Sequence, residues 1–209
     1  MFALVENQQI TKFYSGNKGV IIEGNQYPRS IFTLWSEAQR NAIGIFEVTV
    51  DTTNKKDEQW YINTNVSYGV ESNKAVGSYG AATAKAIDDT LWTQEDSDNE
   101  DLPFNKSVGD VKVEGLKTIK KRIVKQQAAG ILQDTDWYIT RKADVGTAVP
   151  SAITTHRAAV RTKSNEMETA IDNASDVDAL ATLYEYVNTG TEENPVYERP
   201  LGEFPVLEN

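Results

Sequence analysis

The chain opens on short apolar runs separated by polar turns. Phe2-Ala-Leu-Val gives way to Glu6-Asn-Gln-Gln; Ile10-Thr-Lys-Phe-Tyr follows, and a Gly-containing turn at 15–19 leads into Val20-Ile-Ile. Runs of this length between turn residues predict a small β-meander, which needs a helix or further strands against one face. Ser36 ahead of Glu37-Ala-Gln-Arg-Asn-Ala-Ile predicts an N-capped helix of about two turns, with Gly44 supplying the left-handed residue that ends it. Ile45-Phe-Glu-Val-Thr-Val alternates and is rich in β-branched residues, so it reads as a strand. From Glu58 to Tyr68, Trp60, Ile62 and Val66 share one face of a further predicted strand. Gly69–Asn73 then forms a hairpin loop leading to Lys74-Ala-Val-Gly-Ser-Tyr. Residues 1–80 are therefore expected to form a small, mostly β module with one short helix.

The pattern changes beyond residue 80. Residues 81–110 contain Glu95-Asp-Ser-Asp-Asn-Glu-Asp, which has no apolar side chain and is expected to be a solvated acidic linker. Over 111–132, Val113, Leu116, Ile119, Ile123 and Ile131, with polar Gln127 as a gap, fall at three- and four-residue steps, one face of a long helix. A second helix is expected from Pro150, a good first-turn residue. Its stripe is Ile153, Val160 and Met167, flanked by His156, Ala159, Ala170 and Ile171. The connection 133–149 holds Trp137, which is expected to fold back and plug the end of an antiparallel helix pair. A third helix is predicted from Ser175, burying Val177, Leu180, Leu183, Tyr184 and Val187. Beyond Gly190, Pro195, Pro200 and Pro205 predict an extended segment lying on a surface or on a neighbour. The expected class is α+β: module 1–80, linker 81–110, helical domain 111–188 and Pro-containing tail 189–209.

Composition narrows the chemistry. The 209 residues include no cysteine, which excludes disulfides, thiolate nucleophiles and Cys-ligated zinc. The opening Met1-Phe-Ala-Leu-Val-Glu-Asn lacks a basic region and a sustained apolar run, so no cleaved leader is expected. No stretch approaches the roughly 18 apolar residues of a membrane span. A net charge of −10 and a pI near 4.7 disfavour nucleic acid as a partner. The local exception is Lys117, Lys120, Lys121, Arg122 and Lys125 on the first long helix, read as a solvated face without interleaved aromatics. If that cluster binds anything, the chain's own acidic linker is a candidate.

His156, the one histidine, lies inside an amphipathic stretch with no nucleophile elbow nearby and reads as a helix-seam residue. Asp96, Asp98 and Glu100 match the first positions of a calcium loop, but Asp101 stands where its glycine belongs and Ser107 where its bidentate Glu belongs. No phosphate-cradling glycine motif is present. No catalytic residue, cofactor or metal site is therefore expected.

One set of residues carries a family resemblance. The set is Arg122, Gln126-Gln-Ala-Ala-Gly-Ile-Leu-Gln-Asp-Thr-Asp-Trp137, Arg141, Pro150 and His156-Arg157-Ala-Ala-Val-Arg161. It resembles the C-terminal region of tail-fibre-assembly-like and related tail proteins of tailed bacteriophages, including marine phages. In that family a basic helix and a small-residue stretch ending in Leu precede Thr/Ser-Asp-Trp, a loop with Arg and Pro, and a helix bearing Tyr-Arg-x-x-Leu-Arg. Here His156 replaces the aromatic residue and Val160 replaces the Leu. Met1–Asn7 and Trp35–Val48 are similar to the N-terminal β module of such proteins.

The residues themselves agree with structural roles. Asp136 is placed to bond local backbone N–H groups, Trp137 to bury against the hairpin, and Arg141 to pair with Asp134 or Asp136. Trp137, Asp136, Arg141, His156, Arg157 and Arg161 are thus structural or partner-binding candidates. The resemblance implies a non-enzymatic tail component, made in the host cytoplasm and located in the virion. Its partners would be other tail or fibre proteins, with a homo-oligomer as a further option. A fibre-assembly chaperone absent from the mature virion is the alternative. A host-surface glycan hydrolase, which needs a carboxylate pair in a cleft, is a third reading.

Overall fold

The computed structural model describes residues 1–207. The chain is an α+β protein, and its contacts divide it into a unit Met1–Thr83 and a second beginning at Ala84.

The first unit contains β1 (Phe2–Glu6), β2 (Gln9–Tyr14), β3 (Val20–Ile22), β4 (Asn25–Tyr27), a 3₁₀ turn (Arg29–Phe32) and α1 (Glu37–Asn41). These are followed by β5 (Ile45–Asp51), β6 (Tyr61–Ile62), β7 (Val66–Glu71) and β8 (Lys74–Tyr79). Five strands form one sheet in the order β2-β1-β5-β8-β7; β5 and β8 run parallel and the other neighbours antiparallel. Three hairpins turn on two residues with positive φ: Asn7-Gln8, Glu23-Gly24 and Ser72-Asn73. That geometry matches the right-handed twist of the flanking strands. It also shortens the hairpin loop expected at 69–73, because β7 continues through Glu71.

Ser36 and Gln39 form a reciprocal capping box on α1, and Gly44 adopts φ +77°. A Cβ at Gly44 would sit 3.1 Å from the Val5 carbonyl. The core, Leu4, Val20, Ile22, Ile31, Phe32 and Ile45, lies between the sheet and the β3–β4 hairpin with its 3₁₀ turn. At the open sides of the sheet, Phe13 of β2 meets Tyr68 of β7 with ring centroids 4.9 Å apart.

The strand expected over 58–68 is broken. Asp57 accepts from the Gln59 N–H, and Asn63 exchanges two side-chain hydrogen bonds with the Lys56 backbone. These local bonds compete with an extended ladder and prevail. Trp60 and Tyr61 are both buried, while Ile62 is exposed.

The acidic run is not a loose linker. β9 (Thr83–Ala84) marks the division between units, and β10 (Thr90–Leu91) pairs with β11 (Val111–Val113). Between them lies α2 (Gln94–Asp98), whose Thr93 and Asp96 form a capping box. Lys112 pairs with Asp96 and stands 4.5 Å above the Trp92 ring. The hydrogen bond from Lys112, and after it those from the Thr93 N–H and hydroxyl, hold the Asp96 carboxyl down to about 2. The helix expected from Val111 instead begins at Leu116, because Val111–Val113 is a strand.

α3 (Leu116–Gln133), α4 (Asp136–Val145), α5 (Ser151–Asn173) and α6 (Val177–Thr182) follow. Asp89, inside the expected linker, caps α3: it accepts from the Gly115 N–H at 2.7 Å and the Thr118 hydroxyl at 2.9 Å. α3 and α5 are antiparallel, with Lys121–Asp172 at 2.6 Å and Lys125–Glu168 at 3.2 Å along their length. α5 buries Ile153, His156, Val160, Met167 and Ile171, as its stripe predicts.

The α3 stripe is rotated from the expected one. Leu116, Lys120, Val124 and Ala128 are buried, and Ile123 is exposed. Lys120 tolerates burial because its ammonium lies 4.8 Å from the Tyr184 ring. α6 is capped by Asp176, not Ser175, and Val187 is exposed. β12 (Val187–Asn188) and β13 (Tyr197–Glu198) form a small hairpin, after which Leu201 is buried and donates its N–H to Leu183 O. No described helix is long and apolar enough to cross a membrane.

Two outcomes follow. Ile171 is completely buried, so Ile171→Ala should cost about 2–5 kcal/mol in urea denaturation. The Asp96 carboxyl, depressed to about 2 in the folded chain, stabilises α2 above the unfolded-state value of about 3.9. That support is lost as pH falls through about 2. The Thr93 amide resonance, whose N–H donates to Asp96, should therefore titrate near pH 2; a midpoint near 4 would contradict the contact.

Candidate functional site: the bend between the long helices

α3 stops where Thr135-Asp136-Trp137 begins, and the last carbonyls of a helix lack partners within it. Leu132 O accepts from the Thr135 N–H, and α5 supplies a further donor. Arg157 points its guanidinium into the bend: Nη1 donates to Leu132 O at 2.7 Å and to Thr135 Oγ1 at 2.6 Å, and Nη2 to Asp136 Oδ1 at 2.8 Å. Thr135 Oγ1 also donates to Leu132 O at 3.0 Å. Both Arg157 and Thr135 are buried. Arg157 Nε is buried with no hydrogen-bond partner among the described residues. The fork geometry of guanidinium lets one side chain serve a carbonyl, a hydroxyl and a carboxylate together.

The expectation that Trp137 plugs the bend is corrected here. Trp137 is 53% exposed. The residues after Thr135 continue as a helix instead of a loop, and the first turn of α4 carries the indole out of the seam that Thr135 and Arg157 occupy. The indole packs on Tyr138 at 4.7 Å between ring centroids, with the Arg141 guanidinium 5.3 Å from its centre. Arg141 is thus placed over an aromatic face, not on Asp134 or Asp136 as expected. Asp136 takes Arg157 as its partner instead of backbone amides. Arg161, one turn further along α5, donates to Arg157 O at 3.4 Å.

No residue of α4 is buried. Trp137, Ile139 and Val145 stand exposed, with Arg141 and Lys142 on the same helix, and Gly146 at φ +74° ends it. His156 is buried on the opposite flank of the bend, in a groove walled by Ile131, Thr135 and Ala159 and by the segment 204–207. The structure therefore joins Asp136 to Arg157 and Trp137 to Arg141, and sets His156 apart from both. Sequence reasoning missed Thr135, although Thr-Asp ahead of an aromatic residue was the available signal. It also missed residues 204–207, because nothing in the sequence says where an extended segment docks.

Every member of the basic cluster on α3 engages its own chain. Lys117 pairs with Asp88, Lys121 with Asp172, Arg122 with Glu114 and Lys125 with Glu168, and Lys120 covers Tyr184. Asp88 belongs to the segment expected to be the acidic linker. Burial pushes the Tyr184 phenol up to about 12, against the opposing pull of Arg199.

Among the described residues no group of three or more His, Cys, Asp or Glu is placed to hold a metal ion. The first unit does carry a cleft of about 520 Å³ lined by Glu6, Asn7, Glu23 and Tyr27 among others. Two carboxylates thus share one concavity. Comparisons with protein-family models, with curated proteins and with solved structures found no match.

The bend offers a direct contrast. Arg157→Leu should destabilise the helical unit by about 1–3 kcal/mol, the cost of losing the hydrogen bonds of a buried guanidinium to Leu132 O, Thr135 and Asp136. Trp137→Ala, at an exposed position, should cost less than about 0.5 kcal/mol. Thermal unfolding of the two variants followed by helix circular dichroism ranks them, and the reverse order would restore the tryptophan as the plug.

Proposed function

We propose that this chain is a non-enzymatic structural component of a bacteriophage tail, acting through contacts with other tail or fibre proteins. The observation that supports this reading best is α4: a helix with no buried residue, fixed at its start by the Arg157–Asp136 pair, presenting Trp137, Ile139 and Val145 to solvent. Exposed aromatic and aliphatic side chains beside Arg141 have the composition that protein interfaces favour. Resemblance of the Thr135-Asp-Trp and His156-Arg157…Arg161 stretches to tail proteins points the same way.

The test has two arms. Mass spectrometry of purified particles from cells in which the chain is made should find it at a fixed ratio to known tail proteins. Trp137→Ala with Ile139→Ser should lower that incorporation at least tenfold while leaving the free chain folded. Absence from particles, with fibre solubility that depends on co-expression, would replace this reading with the assembly chaperone. The cleft bearing Glu6 and Glu23 favours a second reading, glycan hydrolysis. Release of reducing sugar from host-surface glycan that disappears in both Glu6→Gln and Glu23→Gln would support it.

A further inference from the structure

The groove beside His156 is occupied by the chain itself. Phe204, Pro205 and Leu207 are half-buried against it, and Val206 is 85% exposed. Cavities of about 420 Å³ and 340 Å³ flank this segment on its two sides, and His156 with Pro205, Val206 and Leu207 walls both. The segment rides along the groove without filling it.

Its attachment to the rest of the unit is slight. Leu201 is its one fully buried anchor, and Glu203 accepts from the Tyr186 hydroxyl and pairs with Arg199. Every residue from Glu185 to Glu198 is exposed, and, apart from the Glu185 N–H donating to Thr182 O, the backbone bonds there are internal to the β12–β13 hairpin and its turn. Swinging this connector away opens no core. An apolar arm with one anchor, an incompletely filled seat and an exposed connector meets the conditions for exchange between identical chains, which is a low-cost route to assembly.

We propose that the arm 201–207 exchanges between copies: the arm of one copy seats on the α3–α5 groove of a second and makes there the contacts it otherwise makes at home. No contact is gained or lost in the exchange, so concentration decides the occupant. A tethered arm competes at an effective concentration in the millimolar range. Dilute chains therefore keep their own arms, and copies crowded onto one assembly trade them. The proposal concerns copies of this chain and stands whether or not the tail assignment holds.

Because the chain has no cysteine, disulfide trapping reports contacts without background. One tagged copy carries Val206→Cys on the arm, and a differently tagged copy carries Thr155→Cys on the groove. Both positions are exposed, so neither substitution should perturb folding. A chain carrying both cysteines should close on itself under mild oxidation and verify the seat. The mixed single-cysteine chains should form the heterodisulfide in proportion to concentration. Its rate should be at least tenfold above that with a surface control, Asn99→Cys, and Leu201→Asp on the arm-bearing copy should suppress it. Failure of the double-cysteine chain to close would overturn the proposal. So would self-closure accompanied by mixed cross-linking no faster than the control. A Pro-containing apolar peptide of other sequence that blocks self-closure while copies fail to cross-link would identify a foreign partner as the occupant and also overturn it.

Discussion

The helical unit depends on one buried guanidinium. α3 ends at exposed Gln133 and Asp134, next to buried Thr135, and the last carbonyls of a helix lack partners within it. Arg157 adds a donor from the facing helix to one of them, Leu132 O, beside the Thr135 N–H and hydroxyl, and ties Thr135 and Asp136 into the same network where α3 stops and α4 starts. An apolar plug would cover the bend without satisfying it. The chain places its tryptophan one residue past this network, outside the seam. The bend is closed by hydrogen bonds, and the aromatic side chain stays half exposed beside Tyr138 and Arg141.

The same economy of partners runs along α3. A row of five basic residues on an acidic chain invites thought of an anionic ligand, yet each cation already has a partner within its own unit. The acidic segment ahead of the helix is the complement of this arrangement. Asp88 and Asp89 hold the start of α3, and Asp96 holds α2 through Lys112. The charges of α2 and α3 are therefore paired within the unit, and among the apolar surfaces it exposes is the aromatic and aliphatic face of α4.

Local rules served well where local chemistry decides. The N-cap at Ser36, the left-handed Gly44, the strands on either side of them and the α5 stripe were all legible, because each is set by residues within a few positions of one another. Legibility failed where a tertiary contact overrode the local signal. The alternation at Trp60, Ile62 and Val66 suggested a strand, but Asp57 and Asn63 spent their side chains on the nearby backbone. The acidic run looked too polar to fold, yet Lys112 lies across a β10–β11 pairing that no window of neighbouring residues contains. On α3, counting apolar letters turned the stripe by one position, since Lys120 uses its stem as a hydrophobic side chain. At the candidate site the right residues were singled out and their partners exchanged: Asp136 for Arg157, Arg141 for Trp137. Pairing across more than twenty residues depends on how α5 returns, and periodicity carries no information about that.

The isolation of α4 has a thermodynamic consequence. Ten residues are fewer than a free helix in water needs to persist, and this one has only Tyr138 even half-buried. Its helicity rests on a fixed first turn and a glycine stop, so its free energy of local opening is small compared with that of the unit as a whole. Amide protons along residues 139–145 should therefore exchange with solvent by fraying from the Gly146 end. A surface that clasped Trp137 and Ile139 would slow that exchange in proportion to how tightly it bound, making the order of this helix a gauge of its occupancy.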